Sequence, residues 1–412
     1  MKLAVLGCSA ITTGELTVAL EFARRLRRDV ALHALVGTPA LAAARAHGAT
    51  VHPWPTVGAR GAAFQRIANT LQDLRPDVLL VADLFLLHGL SPELGSSLLP
   101  LLEHAMRRMP VVALDYYDFR RHRGHLDLLG ERVVLPTMSS LPGVVLPSPL
   151  VPPEGNTPGR GRFLMMDDVG PLSAERRREI RGGLGLGAKE KVIILTTSRW
   201  QHEVPRIPAA RPMAEHIPGW LLRCLDVAAR AAGGVTLLHV SPVPLDAPAL
   251  DSLRYRHMPS LPRDRFVDVM SSVDLALSLN TPASSNIRAM TLRVPVLCAH
   301  LPDTPTLPTV SDVSLARERD VLLGQLGKPH AWSLWPAGFY TFVQEVLRDN
   351  PFSSVHRYVN VLDADALIAE ATRLLTNADD VRHAQERYLR TAASTVGTPD
   401  EALDAALNIS AK

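Results

Sequence analysis

Three loops hold most of the residues whose type and spacing suit chemistry. The first reads Gly7-Cys-Ser-Ala-Ile-Thr-Thr-Gly14-Glu15 and lies between an apolar run and an amphipathic one. Small residues there let a ligand approach main-chain N–H groups, and the start of a helix adds partial positive charge. Thr13 and Gly14 are expected to line an acceptor. Glu15 is expected to act as a general base, since a carboxylate in a cleft accepts a hydroxyl proton. The same carboxylate would also complement the helix dipole, and that reading stays open. The spacing is not GxGxxG, so no dinucleotide fingerprint is present.

The second loop is Asn280-Thr-Pro-Ala-Ser284-Ser285-Asn286. Hydroxyls and amides beside the free N–H groups of a helix start suit a pyrophosphate. Ser and Asn are also the preferred helix caps, which is the plainer role for the same residues. The third is Asp115-Tyr-Tyr-Asp118-Phe-Arg-Arg-His122-Arg-Gly-His125. Polar and aromatic residues this dense, just past an apolar strand, predict an acceptor-facing loop containing Tyr116, Tyr117 and Asp118. Asp115 is a second catalytic candidate, and Asp83 and His88 should lie nearby. Simple packing of the tyrosines, and solvated histidines at 122 and 125, are the alternatives. The spacing matches no standard metal-ligand set, so neither metal nor other cofactor is expected. A fourth run, Arg199-Trp200-Gln-His202-Glu203, follows Thr-Thr-Ser198 and is expected to face a cleft, with Trp200 available for stacking.

Such loops need strands and helices to hold them. Apolar strands are predicted at 2–7, 30–36, 77–82, 111–114, 191–195, 235–240, 275–278 and 294–297. Helices are predicted at 15–28, 39–47, 62–74, 92–106, 173–181, 219–231, 266–271, 287–292 and 332–347, with two more over 364–391 broken near Asn377. Continuous apolar strands alternating with amphipathic helices indicate a parallel sheet covered on both faces. The series begins afresh at Lys191, so two Rossmann-like doubly wound domains are expected. The Pro- and Gly-rich texture of 137–171 marks the connection between them, and 301–330 reads as loop. The expected domains are 1–165, 166–360 and a set of C-terminal helices over 361–412. Trp332 and Trp335 are expected in the core.

With 412 residues, two domains are the natural prior. The composition, 47% hydrophobic and 21% charged, is ordinary for a globular chain. A net charge of +3 is too small to argue for nucleic acid. Three separated cysteines, Cys8, Cys224 and Cys298, suggest neither a disulfide framework nor zinc, and fit a reducing interior. No leader or membrane-spanning run is evident, so a cytoplasmic location is expected.

The stretch from Leu261 to Leu307 carries a more specific signal. It has a helix ending at Val273-Asp274, a strand, the Ser-Ser-Asn turn, Arg288-Ala-Met and Arg293-Val-Pro295-Val-Leu. Together with Glu179-Ile-Arg181 and Thr196-Thr197-Ser198, it resembles glycosyltransferases of the B fold (GT-B). Arg293 stands where that family usually has Gly, and Arg288-Ala-Met where it has Glu-Ala. The resemblance implies two domains facing a cleft and a nucleotide-sugar co-substrate. Ser198, Ser284, Ser285 and Asn286 would hold the donor diphosphate, flanked by Arg199 and Asn280, with Asp303 near the donor sugar. Main chain near Leu261 would face the nucleobase. Gly14-Glu15 is similar in place to the Gly-His of inverting members. The implied activity is sugar transfer to a hydroxyl or amine of a small acceptor, a specialised metabolite rather than a polymer. A nucleotide-sugar epimerase or hydrolase is the alternative, kept open by Asp83, Asp115, Asp118 and His202. A non-catalytic partner protein of the same fold is a further one.

Overall fold

The structure, a computed structural model, describes the chain apart from residues 8, 10–13, 56–61, 85–98, 119–124, 135–142, 167–169, 304–307 and 409–412. Thr13, Cys8, His88 and His122 lie outside the described residues. The chain forms two compact units, one of Met1–Gly124, Leu135–Met165 and Arg390–Lys412, the other of His125–Val134 and Met166–Leu389.

The first unit begins with β1 (Lys2–Leu6), α1 (Gly14–Arg24), β2 (Ala31–Gly37), α2 (Leu41–Ala46) and β3 (Thr50–Trp54). It continues with α3 (Ala62–Leu74), β4 (Val78–Val81), α4 (Leu99–Met106) and β5 (Val111–Leu114). The chain then contributes a hairpin, β6 (His125–Leu128) and β7 (Glu131–Val134), to the second unit and returns as β8 (Gly143–Ser148) and β9 (Arg160–Leu164). Seven parallel strands run in the order β3-β2-β1-β4-β5-β8-β9. Every residue of β4, β5 and β8 is buried, as a sheet covered on both faces requires. Two of these strands lie in the 137–171 stretch that was expected to be a connection. Gly143 and Gly161 sit inside them, where another backbone comes close, and Pro147 lies near the end of β8.

The second unit runs α5 (Ala174–Gly183), β10 (Lys191–Thr196), α6 (Arg199–Glu203), α7 (Arg211–Ala231), β11 (Val235–Val240) and β12 (Leu253–Met258). Next come α8 (Arg263–Ser272), β13 (Leu275–Ser278), α9 (Ser284–Thr291), β14 (Val296–His300) and α10 (Val313–Leu326). The remainder is β15 (Trp332–Leu334), β16 (Gly338–Phe339), α11 (Tyr340–Leu347), β17 (Arg357–Asn360), α12 (Ala364–Thr376) and α13 (Asp379–Thr395), whose last residues pass into the first unit. Six parallel strands are ordered β12-β11-β10-β13-β14-β17. In the unit's own chain order that is 3-2-1-4-5-6, the doubly wound order whose direction reverses between its first and fourth strands.

Ser173 caps α5 as expected, accepting from the Arg176 N–H at 3.1 Å. The 301–330 stretch is not all loop: Asp312 accepts from Ser314 and Leu315 N–H groups at 2.8 and 3.0 Å and starts α10. Nor is 332–347 one helix. Trp335-Pro-Ala-Gly338 interrupts it, leaving β15 and β16 to pair with β6 and β7 as a four-stranded ribbon, with only Tyr340 onward helical. Trp332 and Trp335 are buried, 0% and 2% exposed. The last helix, α14 (Pro399–Leu407), packs on β8 and β9 of the first unit, so 361–412 does not form one terminal set of helices. Among the described residues no helix is long and apolar enough to cross a membrane.

Candidate functional site

In the second unit the direction of the sheet reverses between β10 and β13, and the loops beyond their carboxyl ends meet. Thr196, the last residue of β10, donates its hydroxyl to Ser285 Oγ at 3.1 Å. Ser285 and Ser284 lie in the first turn of α9 and are half-buried. The residue at the cap is Ala283, which has no side-chain oxygen, so neither serine nor Asn286 caps this helix. The Asn286 N–H already donates to the Ala283 carbonyl at 3.0 Å, which leaves the Ser284 and Ser285 N–H groups without an acceptor among the described residues, at the positive end of the helix dipole.

Asn286 has a different role. It is 1% exposed, and its amide donates to the Asn280 and Thr281 carbonyls at 2.8 and 3.0 Å. It braces the loop rather than facing a ligand. Asn280 is held by Ser278 Oγ, which accepts from its N–H at 3.1 Å, and its own Oδ1 is buried without a partner among the described residues. The ribbon pins the same loop, Thr281 N–H donating to the Ser333 carbonyl at 2.8 Å and Trp335 N–H to that of Leu279 at 3.1 Å.

Ser198 and Arg199 are exposed at the start of α6. Ser198 N–H donates to Gln201 Oε1 at 2.7 Å, and Arg199 lies 3.5 Å from Glu203. Trp200 is half-buried. Asp303 is exposed beyond β14 and accepts from the Thr341 hydroxyl at 3.1 Å.

The first unit gathers its own group at the ends of β1, β4 and β5. Glu15 is half-buried at the second position of α1, and its carbonyl accepts from the Tyr116 hydroxyl at 2.9 Å. Gly14 opens the same helix and is exposed. Asp83 is buried just past β4. Burial first, then the nearby Asp83 and Glu15 carboxylates, push the Tyr117 phenol far up. The structure thus brings Glu15, Asp83, Tyr116 and Tyr117 together. Two predicted residues turn inward instead. Asp115 is 0% exposed, with Oδ1 accepting from Tyr117 N–H at 3.3 Å. Asp118 is 2% exposed and ion-paired to Arg160 of β9 through both carboxylate oxygens. Each would serve a site only by holding the loop.

One cluster escaped the sequence reading. Thr197 just past β10, His202 of α6, His239 near the end of β11 and Tyr255 within β12 join in a hydrogen-bonded chain. Only the parallel register of the strands, which sets His239 opposite His257, brings β11 and β12 together there.

A family model described as a family of unknown function (DUF6365) matches residues 22–410. The chain belongs to DUF6365. No curated protein matches this DUF6365 sequence. Among solved structures, Anabaena HepE in complex with UDP-glucose is similar at 12% identity over 100% of each chain, with a TM-score of 0.53. CalG4, the calicheamicin glycosyltransferase, is similar at 14% identity over 99% of each chain, with a TM-score of 0.51. VinC, a glycosyltransferase in complex with dTDP, matches at 13% identity and a TM-score of 0.51, over 98% of this chain and 99% of its own. At such identities the likeness is one of fold. The DUF6365 protein has the GT-B fold, two Rossmann-like parallel-sheet domains, as its sequence pattern implied.

Proposed function

We propose that this protein is a glycosyltransferase that moves a sugar from a nucleotide-sugar donor to a hydroxyl or amine of a small acceptor. The observation that carries the reading is the alanine-capped start of α9 at the β10/β13 switch point, where Thr196 and Ser285 meet. First-turn N–H groups and hydroxyls there match a diphosphate, whose charge grows as the sugar bond breaks. Asn280, Ser198, Arg199 and Asp303 complete the donor side of this reading. The reading requires no metal. That HepE binds UDP-glucose and VinC binds dTDP supports it at the level of fold.

On the acceptor side Glu15 takes the proton of the attacking hydroxyl, with Gly14, Asp83, Tyr116 and Tyr117 around it. The acceptor oxygen attacks the anomeric carbon as the nucleoside diphosphate leaves, which inverts that centre. Glu15→Gln is expected to leave nucleotide binding intact and to lower turnover about 100-fold or more, in line with general-base contributions. Turnover equal to wild type would remove Glu15 from the role.

Thermal shift with UDP, GDP and dTDP tests the donor site, because a ligand that binds only the folded state raises apparent stability. No shift with any of them would overturn the reading. Incubation with nucleotide sugars and no acceptor separates the alternatives: an epimerase yields an epimer and a hydrolase yields free sugar.

A further inference from the structure

The half-buried hydrogen-bonded chain that includes Thr197, the residue after Thr196, has a direction. Leu245 N–H donates to the Tyr255 hydroxyl oxygen at 2.9 Å, and that hydroxyl lies 2.9 Å from His239 Nδ1. His239 Nε2 lies 2.8 Å from Thr197 Oγ1, which lies 2.9 Å from His202 Nε2. His239 is 0% exposed, and burial pushes its pKa down to about 3, helped by the nearby His257 and His202. It is therefore neutral and has a single N–H.

Only one arrangement gives every donor a protein acceptor among the described residues. Ser241, 3.4 Å from His239 Nδ1, already donates its hydroxyl to the Val243 carbonyl. The Tyr255 proton thus goes to His239 Nδ1, which leaves the proton on Nε2. Nε2–H donates to Thr197, and Thr197 donates onward to His202 Nε2. In the reverse arrangement the Tyr255 hydroxyl proton would have no acceptor among the described residues.

We infer that this one-way chain presents His202 as a neutral imidazole protonated on Nδ1, a hydrogen-bond donor for the anionic oxygens of the bound nucleotide. His202 belongs to α6, which opens at Ser198. Tyr255, His239 and Thr197 are its positioning residues. The role at the nucleotide rests on the proposed function; the proton placement does not.

Nitrogen-15 NMR of histidine-labelled full-length protein at pH 7 tests the placement directly. Neutral His202 with the proton on Nδ1 is expected. Tyr255→Phe and Thr197→Val should each mix the two tautomers and weaken UDP binding about tenfold, a value typical of one lost hydrogen bond. Thr197→Ser, which keeps the hydroxyl, should restore both. A charged His202, a proton on Nε2, or a tautomer unmoved in both disruptive variants would overturn the inference. The expected tautomers in a protein that binds no UDP would instead remove the functional reading and leave the hydrogen-bond direction standing.

Discussion

Gly161→Val is expected to lower the melting temperature by about 6–12 °C, the shift that ~3 kcal/mol produces in a unit of this size. A Cβ at Gly161 would lie 1.8 Å from the Ala402 carbonyl oxygen and 2.4 Å from its carbon. These are backbone atoms of α14, so no rotamer relieves the clash. The helix must lift from β9, exposing Ala402, Leu403 and Ala406, all 0% exposed in the native fold. Gly143 tells the same story on β8, where an added carbon would sit 2.0 Å from the Ala406 oxygen. Calorimetry of the variant, with hydrogen exchange over residues 399–407, measures the effect. A melting point within a degree or two of wild type would mean that α14 is not seated on these strands.

Ser285→Trp is expected to weaken nucleotide binding by about 100-fold or more and so to abolish the thermal shift given by wild type. Ser285 is half-buried in the first turn of α9, within 3.1 Å of Thr196 Oγ1. An indole there would occupy the space a diphosphate needs and cover the first N–H groups. Ser285→Ala, which removes one hydroxyl without adding bulk, should weaken binding about tenfold or less. Titration calorimetry of both variants with UDP gives the comparison. An undiminished shift in the tryptophan variant would move the nucleotide away from α9.

These two variants rest on different kinds of sequence signal. The strand Leu275–Ser278 and the Ser-Ser-Asn turn after it were legible because an apolar run ends in small polar residues, a purely local pattern. Even there the side chains divided: Ser285 faces Thr196, whereas Asn286 turns inward to hold two carbonyls. Which of three adjacent polar residues faces out depends on helix phase, and the phase followed from Ala283 being the cap. Asp115 and Asp118 looked available for chemistry, but Asp115 is fully buried and Asp118 pairs with Arg160 of β9, a strand hidden among prolines and glycines. Gly161 lies in the same Pro- and Gly-rich stretch, whose texture predicts a connection rather than a strand. Its role depends on Ala402, far along the chain, and no local pattern joins the two. The His239 chain was hidden in the same way, since the neighbour of β11 is fixed by sheet pairing.

The helix that packs on β8 and β9 of the first unit is made long after the strands it covers. Residues 1–165 leave the ribosome with β8 and β9 already present, but Ala402 and Ala406 follow only after the whole second unit. At ~5–20 residues per second, that interval lasts roughly ten to fifty seconds. Through that window β8 and β9 stay without the helix that packs on them. A stop between Leu389 and Pro399 would leave the second unit's residues complete and the first unit without α14, and such a product is a natural client for chaperones and proteases.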